Sequence, residues 1–131
     1  MAARTVCLVL GVRGLFTLKF QHMDEIVIIL TNLPDRASAL KLAGELVEQR
    51  LAACVNVLAE CSSVYRWEGR IKSATEVTVL VKTRAQRYDE VEAEIRRLHP
   101  YELPEIVAVP VVRGLDEYLE WVAGETTISI G

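Results

Sequence analysis

The chain has 131 residues, of which 51% are hydrophobic and 25% charged, and its 15 Lys and Arg against 18 Asp and Glu give a formal net charge of −3. This length and composition indicate one globular domain that folds without a disulfide or a structural metal, and they exclude disordered and fibrous classes. The mild acidity argues against nucleic acid as a partner, because phosphate-binding proteins carry a basic surface.

The cysteines and the first 23 residues bear on the compartment. Cys7, Cys54 and Cys61 are an odd number without a Cys-x-x-Cys pair, which argues against a disulfide framework or a four-thiolate zinc site and favours a reducing compartment. Residues 1–23 carry three basic and no acidic residues, and Arg13 interrupts their apolar stretch, so an export signal or a membrane span is not favoured. We interpret them as a leader, with a transit peptide as the weaker alternative, and residues 24–131 as the domain.

Short apolar or alternating segments between turn residues predict four strands. They cover residues 25–31, 53–67, 71–82 and 106–112. The first contains the apolar, mostly β-branched run Ile26-Val27-Ile28-Ile29-Leu30, so we expect it to be central and buried on both faces. In the second, the alternation changes phase around residues 59–62, which predicts a bulge, and Glu68-Gly69 after it predicts a tight hairpin turn. Pro110 places the fourth strand at an edge.

Three helices follow from apolar residues at helical spacing. Asp35 is the expected N-cap of the first helix, whose inner positions are Ala39, Leu42, Ala43, Leu46 and Val47. The second, residues 85–98, turns Tyr88, Val91, Ile95 and Leu98 inward and is stopped by Pro100. The third is short, carries Leu115, Tyr118, Leu119 and Val122, and ends near Gly124.

The order βαββαβ plus a terminal helix predicts a ferredoxin-like α+β sandwich. Short right-handed connections give a four-stranded antiparallel sheet with both long helices on one face. The other face is left with Leu58, Tyr65, Trp67 and Leu80 and too little chain to cover them. An uncovered apolar face predicts symmetric self-association.

Four strings, in this order and spacing, resemble the CutA family of divalent-cation tolerance proteins. They are Leu51-Ala52-Ala53-Cys54, Tyr65-Arg66-Trp67-Glu68-Gly69, Lys82-Thr83 and His99-Pro100-Tyr101-Glu102-Leu103-Pro104-Glu105. The resemblance covers residues 25–122. It implies a cytoplasmic homotrimer of ferredoxin-like protomers, similar in architecture to the PII nitrogen-signalling trimers, with a role in the response to metal ions and with copper binding.

The resemblance also implies a metal site, position by position. Some bacterial members have a cysteine at the end of the first strand and two adjacent histidines before Pro-Tyr, and here those positions are Thr31, Leu98 and His99. A threonine is a poor copper ligand, so we expect weak copper binding by His99 with Glu105 and groups from neighbouring protomers. The alternative for His99 is a local hydrogen-bonding role.

A second candidate site is a cleft between protomers. Its predicted members are aromatic and charged residues near strand ends: Tyr65, Trp67, Glu68, Lys82, Tyr101 and Glu105. Such a cleft binds an ion or works in acid and base chemistry. The plainer interpretation is a structural ion pair between Lys82 and Glu105 of different subunits.

Three classes of function remain. We predict a divalent-cation tolerance protein, a copper- or divalent-metal-binding homotrimer without a nucleic-acid or membrane partner. The alternative is a PII-like signalling or scaffold trimer that binds a small ligand or a protein in the cleft. The sequence has no catalytic triad, phosphate-binding glycine loop or His-Glu-x-x-His motif, so we predict no enzymatic activity; an enzyme using Lys82 and Glu105 is the third class.

Overall fold

The computed structural model describes residues 25–128, and the predicted leader, residues 1–23, lies outside them. The strands are β1 (Ile26–Leu33), β2 (Cys54–Trp67), β3 (Arg70–Arg84) and β4 (Ile106–Pro110), and the helices are α1 (Arg36–Glu48), α2 (Tyr88–Leu98) and α3 (Asp116–Glu125). The four strands form one antiparallel sheet in the order β2-β3-β1-β4. The predicted ferredoxin-like α+β topology is confirmed.

Strand β1 is central, as predicted, but only one of its faces is fully buried. Ile29 and Leu33 point to the helices and are 0% and 1% exposed, whereas Ile28 and Leu30 on the other face are half-buried. The expectation of burial on both faces is therefore wrong for the described chain. The two faces differ because α1 and α2 pack against the first face only.

Helix α1 begins where the sequence predicts, because the Asp35 carboxylate accepts a hydrogen bond of 2.8 Å from the Ser38 amide. Its buried residues are Ala39, Leu42 and Leu46. Val47 was expected to face the core but is 44% exposed. At about 100° per residue, Val47 lies roughly 110° from the centre of the buried stripe, which places it at the rim of the helix contact.

Helix α2 packs beside α1 through Val91 and Ile95, both fully buried, as predicted. The α-helix begins at Tyr88, and the three residues before it, Ala85–Arg87, form a 3-10 turn. The Arg87 guanidinium is buried there and donates to the Glu90 carboxylate at 2.8 Å and to the Arg50 carbonyl at 3.2 Å. These bonds attach the start of α2 to the end of α1.

The β2-β3 hairpin has both irregularities that the sequence predicts. Its turn is left-handed at two consecutive residues, Glu68 (φ 52°) and Gly69 (φ 80°), the conformation of a two-residue type I′ turn. The bulge lies between Val57 and Glu60, slightly before the predicted residues 59–62. Because two residues of β2 there face one of β3, the bulge turns the later odd-numbered positions of β2 to the face opposite the helices.

Strand β4 is an edge strand that ends at Pro110, two residues before the predicted end. We call the sheet face opposite α1 and α2 the open face. Helix α3 covers one end of it, where the Tyr118 hydroxyl lies near the Cys54 thiol and Val122 is buried. Of the four side chains predicted to stay uncovered, Leu58 and Tyr65 are 41% and 42% exposed, whereas Trp67 and Leu80 are half-buried. Val107 and Val109 on β4 are also exposed, at 46% and 52%.

No helix in residues 25–128 is long and apolar enough to cross a membrane.

Candidate functional site

A groove of about 1050 Å³ lies where the hairpin extends beyond β1. Strand β1 ends opposite Val77, so residues 70–76 of β3, with their β2 partners in residues 61–67, extend beyond the end of β1. The segment after α2, residues 100–105, forms the other wall. The residues that line the groove include Asn32, Tyr65, Trp67, Glu76, Tyr101 and Glu105.

Asn32 joins the two predicted metal ligands. Its backbone carbonyl lies 2.6 Å from His99 Nε2, and its side-chain amide donates to Glu105 Oε1 at 2.8 Å. The Asn32 Oδ1 atom in turn accepts a 2.7 Å hydrogen bond from Thr78. The last residues of β1 thus hold His99 and Glu105 beside each other at one edge of the groove.

Both ring nitrogens of His99 are occupied. Nδ1 accepts a 3.2 Å hydrogen bond from the Tyr101 amide, so the proton of the neutral ring lies on Nε2 and is donated to the Asn32 carbonyl. The ring is 9% exposed and stacks on Tyr101 with 4.7 Å between centroids. A metal ion reaches an imidazole lone pair here only if the Tyr101 amide gives up its hydrogen bond.

A buried carboxylate faces the same groove. Glu76 is 8% exposed, and its carboxylate lies near the Tyr101 hydroxyl. Burial raises the pKa of Tyr101, and the negative charge and acceptor oxygens of Glu76, with the nearby Tyr65 and Asp35, raise it further. The charge of Glu76 and the two tyrosine hydroxyls therefore lie close together.

Two of the predicted cleft residues lie apart from this groove in the single chain. Lys82 donates a 2.5 Å hydrogen bond to Asn56. Lys82 is six residues from Glu76 along β3, which separates the two backbone positions by about 20 Å. Glu68 is exposed in the hairpin turn. Tyr65, Trp67, Tyr101 and Glu105 do come together. An ion pair between Lys82 and Glu105 would join different subunits and stays a prediction.

The two other positions compared with metal ligands lie on the helix-covered side of the sheet. Thr31 lies on the helix-covered face, is 0% exposed, and its hydroxyl has no hydrogen-bond partner among the described residues. Leu98 packs half-buried against the core. Within residues 25–128, no three His, Cys, Asp or Glu side chains are close enough to hold a metal ion. A complete ligand set is thus not provided by the described part of one chain.

Sequence reasoning did not identify Asn32 or Glu76 as site residues. Asn32 is in a turn-rich string before Pro34, where asparagine is ordinary. Glu76 interrupts the apolar face pattern of β3 immediately before Val77, and its burial beside a tyrosine is visible only in the folded chain. The one signal for Glu76 in the sequence is that this acidic residue comes directly before the alternating apolar residues of β3.

The fold and the groove define a ferredoxin-like α+β protein with an open sheet face and an acidic, aromatic groove at its edge. Residues 27–125 match the family model described as "CutA1 divalent ion tolerance protein". The chain belongs to this family.

Relatives agree with this assignment. The divalent-cation tolerance protein CutA of Thermus thermophilus is 41% identical over 104 residues, which cover 79% of this chain and 99% of that protein. "Protein CutA, chloroplastic" of Arabidopsis thaliana is 36% identical over 76% of this chain and 55% of its own length. The crystal structure of CutA from Xylella fastidiosa has a TM-score of 0.76 at 41% identity over 78% of this chain and 98% of that one.

A further solved structure, CutA1 from Oryza sativa, has a TM-score of 0.79 at 32% identity over 82% of this chain and 98% of its own. The relatives differ in the compartment that their names give: the Arabidopsis protein is named chloroplastic, and the Archaeoglobus fulgidus protein of known structure is named periplasmic. The cytoplasmic location of this chain therefore stays a prediction.

Proposed function

We propose that this divalent-ion tolerance protein works as a cytoplasmic homotrimer that binds copper and other divalent cations weakly through His99 and Glu105. The observation that supports this proposal is that both residues are hydrogen-bonded to Asn32, one to its carbonyl and one to its amide. Imidazole and carboxylate are ordinary ligands of divalent metals. Their proximity gives the chain the beginning of a site, which neighbouring copies complete.

The hydrogen bonds of these residues explain why the binding should be weak. A metal ion must displace the Tyr101 amide from Nδ1 of His99, and it competes with the Asn32 amide for Glu105. Each displaced bond has a cost, because a buried donor left without a partner is unfavourable. Thr31 offers a hydroxyl where a thiolate would bind copper far better.

The open face supports the trimer. Val107 and Val109 are about half exposed on the edge strand, and Leu58 and Tyr65 are 41% and 42% exposed on the opposite edge. Apolar side chains at both edges and across one face give each copy a surface that another copy can cover. Assembly would also bring further carboxylates or imidazoles toward His99.

Calorimetric titration of Cu²⁺ into the assembled protein tests the metal proposal. His99→Ala should abolish the saturable heat, and affinity should fall as the pH is lowered, because protons compete with metal for the imidazole. The chain has two histidines, so His22→Ala is the matched control and should bind like the parent. His99→Gln keeps a donor and an acceptor for Asn32 and Tyr101, which separates ligand loss from unfolding.

Restoring the ligands of other family members should strengthen binding. Thr31→Cys combined with Leu98→His should raise the affinity, most for Cu(I), because thiolate and imidazole are its preferred ligands. If His99→Ala and His99→Gln both bind copper as well as the parent, His99 is not the metal ligand and the proposal is wrong.

A further inference from the structure

Glu76 has an unusual environment for a negative charge. It is 8% exposed, yet within residues 25–128 it has no ion pair with a Lys, Arg or His side chain. The polar group that lies beside it in the groove is the neutral hydroxyl of Tyr101. Burial of a carboxylate without a counter-charge is unfavourable, so this position favours a cation from outside the described chain.

The walls around Glu76 suit an organic cation. Tyr65, Trp67 and Tyr101 line the same groove, and aromatic faces attract ammonium groups while their carbon atoms accept an apolar stem. The groove lining contains three carboxylates, those of Glu76, Glu102 and Glu105, and one ammonium group, that of Lys72, so it has an excess of negative charge. A hydrated metal ion gains nothing from aromatic walls, and an anion would be repelled.

From this combination we propose that the groove binds a small organic ammonium ion, with its positive nitrogen against Glu76 and its apolar part against Tyr65 and Trp67. The proposal does not depend on metal binding at His99 and Glu105. Its basis is the buried carboxylate without a basic partner, the aromatic walls and the groove of about 1050 Å³, which has the size of a small-molecule site.

Tryptophan fluorescence gives a direct measurement, because the chain has two tryptophans and Trp67 is the one in the groove. In a Trp121→Phe background, choline and butane-1,4-diamine are titrated into the assembled protein in the presence of EDTA, which removes any response from metal ions. We expect a saturable change in Trp67 emission that weakens as salt is added. The neutral isostere of choline, 3,3-dimethylbutan-1-ol, should give none.

Two variants test the residues. Glu76→Gln removes the charge and keeps an acceptor for Tyr101, and it should weaken ammonium binding by about tenfold or more. Tyr65→Leu keeps the charge and removes a ring, and it should weaken binding by a smaller factor. Glu60→Gln is the matched control, because Glu60 is exposed on β2 and is not in the groove lining; it should bind like the parent.

Three results would overturn the proposal. One is no saturable response to either cation at millimolar concentrations, and another is equal binding by the parent and Glu76→Gln. The third is a combined result, in which the parent binds no ammonium ion and Glu76→Gln has a different sedimentation coefficient from the parent. That result would mean that the counter-charge of Glu76 is a basic side chain of a neighbouring copy.

Discussion

The two faces of the sheet are similar in sequence and opposite in environment. On β3, Val77, Val79 and Val81 face the helices and are 0% exposed, while Leu80 and Thr78 between them are half-buried. On β1 and β4 the open face carries Ile28, Leu30, Val107 and Val109, residues as apolar as those of the core. The faces differ in the helices that pack on them, because α1 and α2 cover one face and α3 reaches only one end of the other.

The two faces of the sheet have different roles, one in the stability of the protomer and the other in its interactions. The helix-covered face holds a continuous core of valine, leucine and isoleucine, and such burial is the main term that stabilises a protomer. The open face contributes little to the stability of a separate protomer, yet it carries large apolar residues and adjoins the groove. The open face is therefore the surface on which we expect assembly and binding.

Trp67→Asp should have the largest effect on the open face. Trp67 lies on the side of the hairpin that faces the groove, and a carboxylate in a covered interface would be desolvated without a partner, at a cost of about 3–5 kcal/mol. We expect sedimentation velocity to show dissociation of the proposed trimer or loss of the fold.

Ser62→Asp is the matched control for Trp67→Asp, since Ser62 is exposed on the same strand and points to the opposite side. It should sediment like the parent. A native mass spectrum of the parent with only stable monomer at micromolar concentration would contradict the trimer on which this prediction rests.

Matched valine truncations should give a smaller effect that differs between the faces. Val79→Ala removes two buried methyl groups at 0% exposure and should lower the free energy of unfolding by about 2 kcal/mol at every protein concentration. Val109→Ala, at 52% exposure on the open face, should cost less than about 0.5 kcal/mol at the lowest concentration.

Urea unfolding over a wide range of protein concentration measures both truncations. Any additional cost of Val109→Ala should appear only as the concentration rises, because it then reports subunit contacts. Equal losses for the two variants in dilute protein would mean that the open face is already covered within one chain, and the contrast between the faces would be wrong.

The elements were predictable because their signals are local. The alternation around Val79, the cap at Asp35, the Glu68-Gly69 turn and the break at Pro110 each depend on a few neighbouring residues. The exposure of Val47 was not predictable, because the spacing of apolar residues on a helix does not determine how wide the contact with the sheet is. Its exposure depends on where β2 and β3 lie beneath the helix.

The site was less predictable because its contacts are distant in sequence. Asn32 and His99 are 67 residues apart and Asn32 and Glu105 are 73 apart. The family resemblance indicated His99 and Glu105 as candidates, but only the fold shows the residue between them. The pairing of Glu76 with Tyr101 likewise requires the loop after α2 to return to the start of β3, which no local pattern predicts.

Removing residues 1–22 should have the smallest effect of all. This segment differs in charge from the rest of the chain, precedes the βαββαβ unit, and is outside the family match at residues 27–125. We expect the thermal midpoint and the oligomer size to stay unchanged by calorimetry and light scattering. Because the open face is apolar and the segment is rich in apolar residues, the deletion also tests whether the chain covers its own open face. A fall in the midpoint of about 4 °C or more, equivalent to about 1 kcal/mol for a domain of this size, would mean that it does, and part of the surface assigned to assembly would then belong to the protomer.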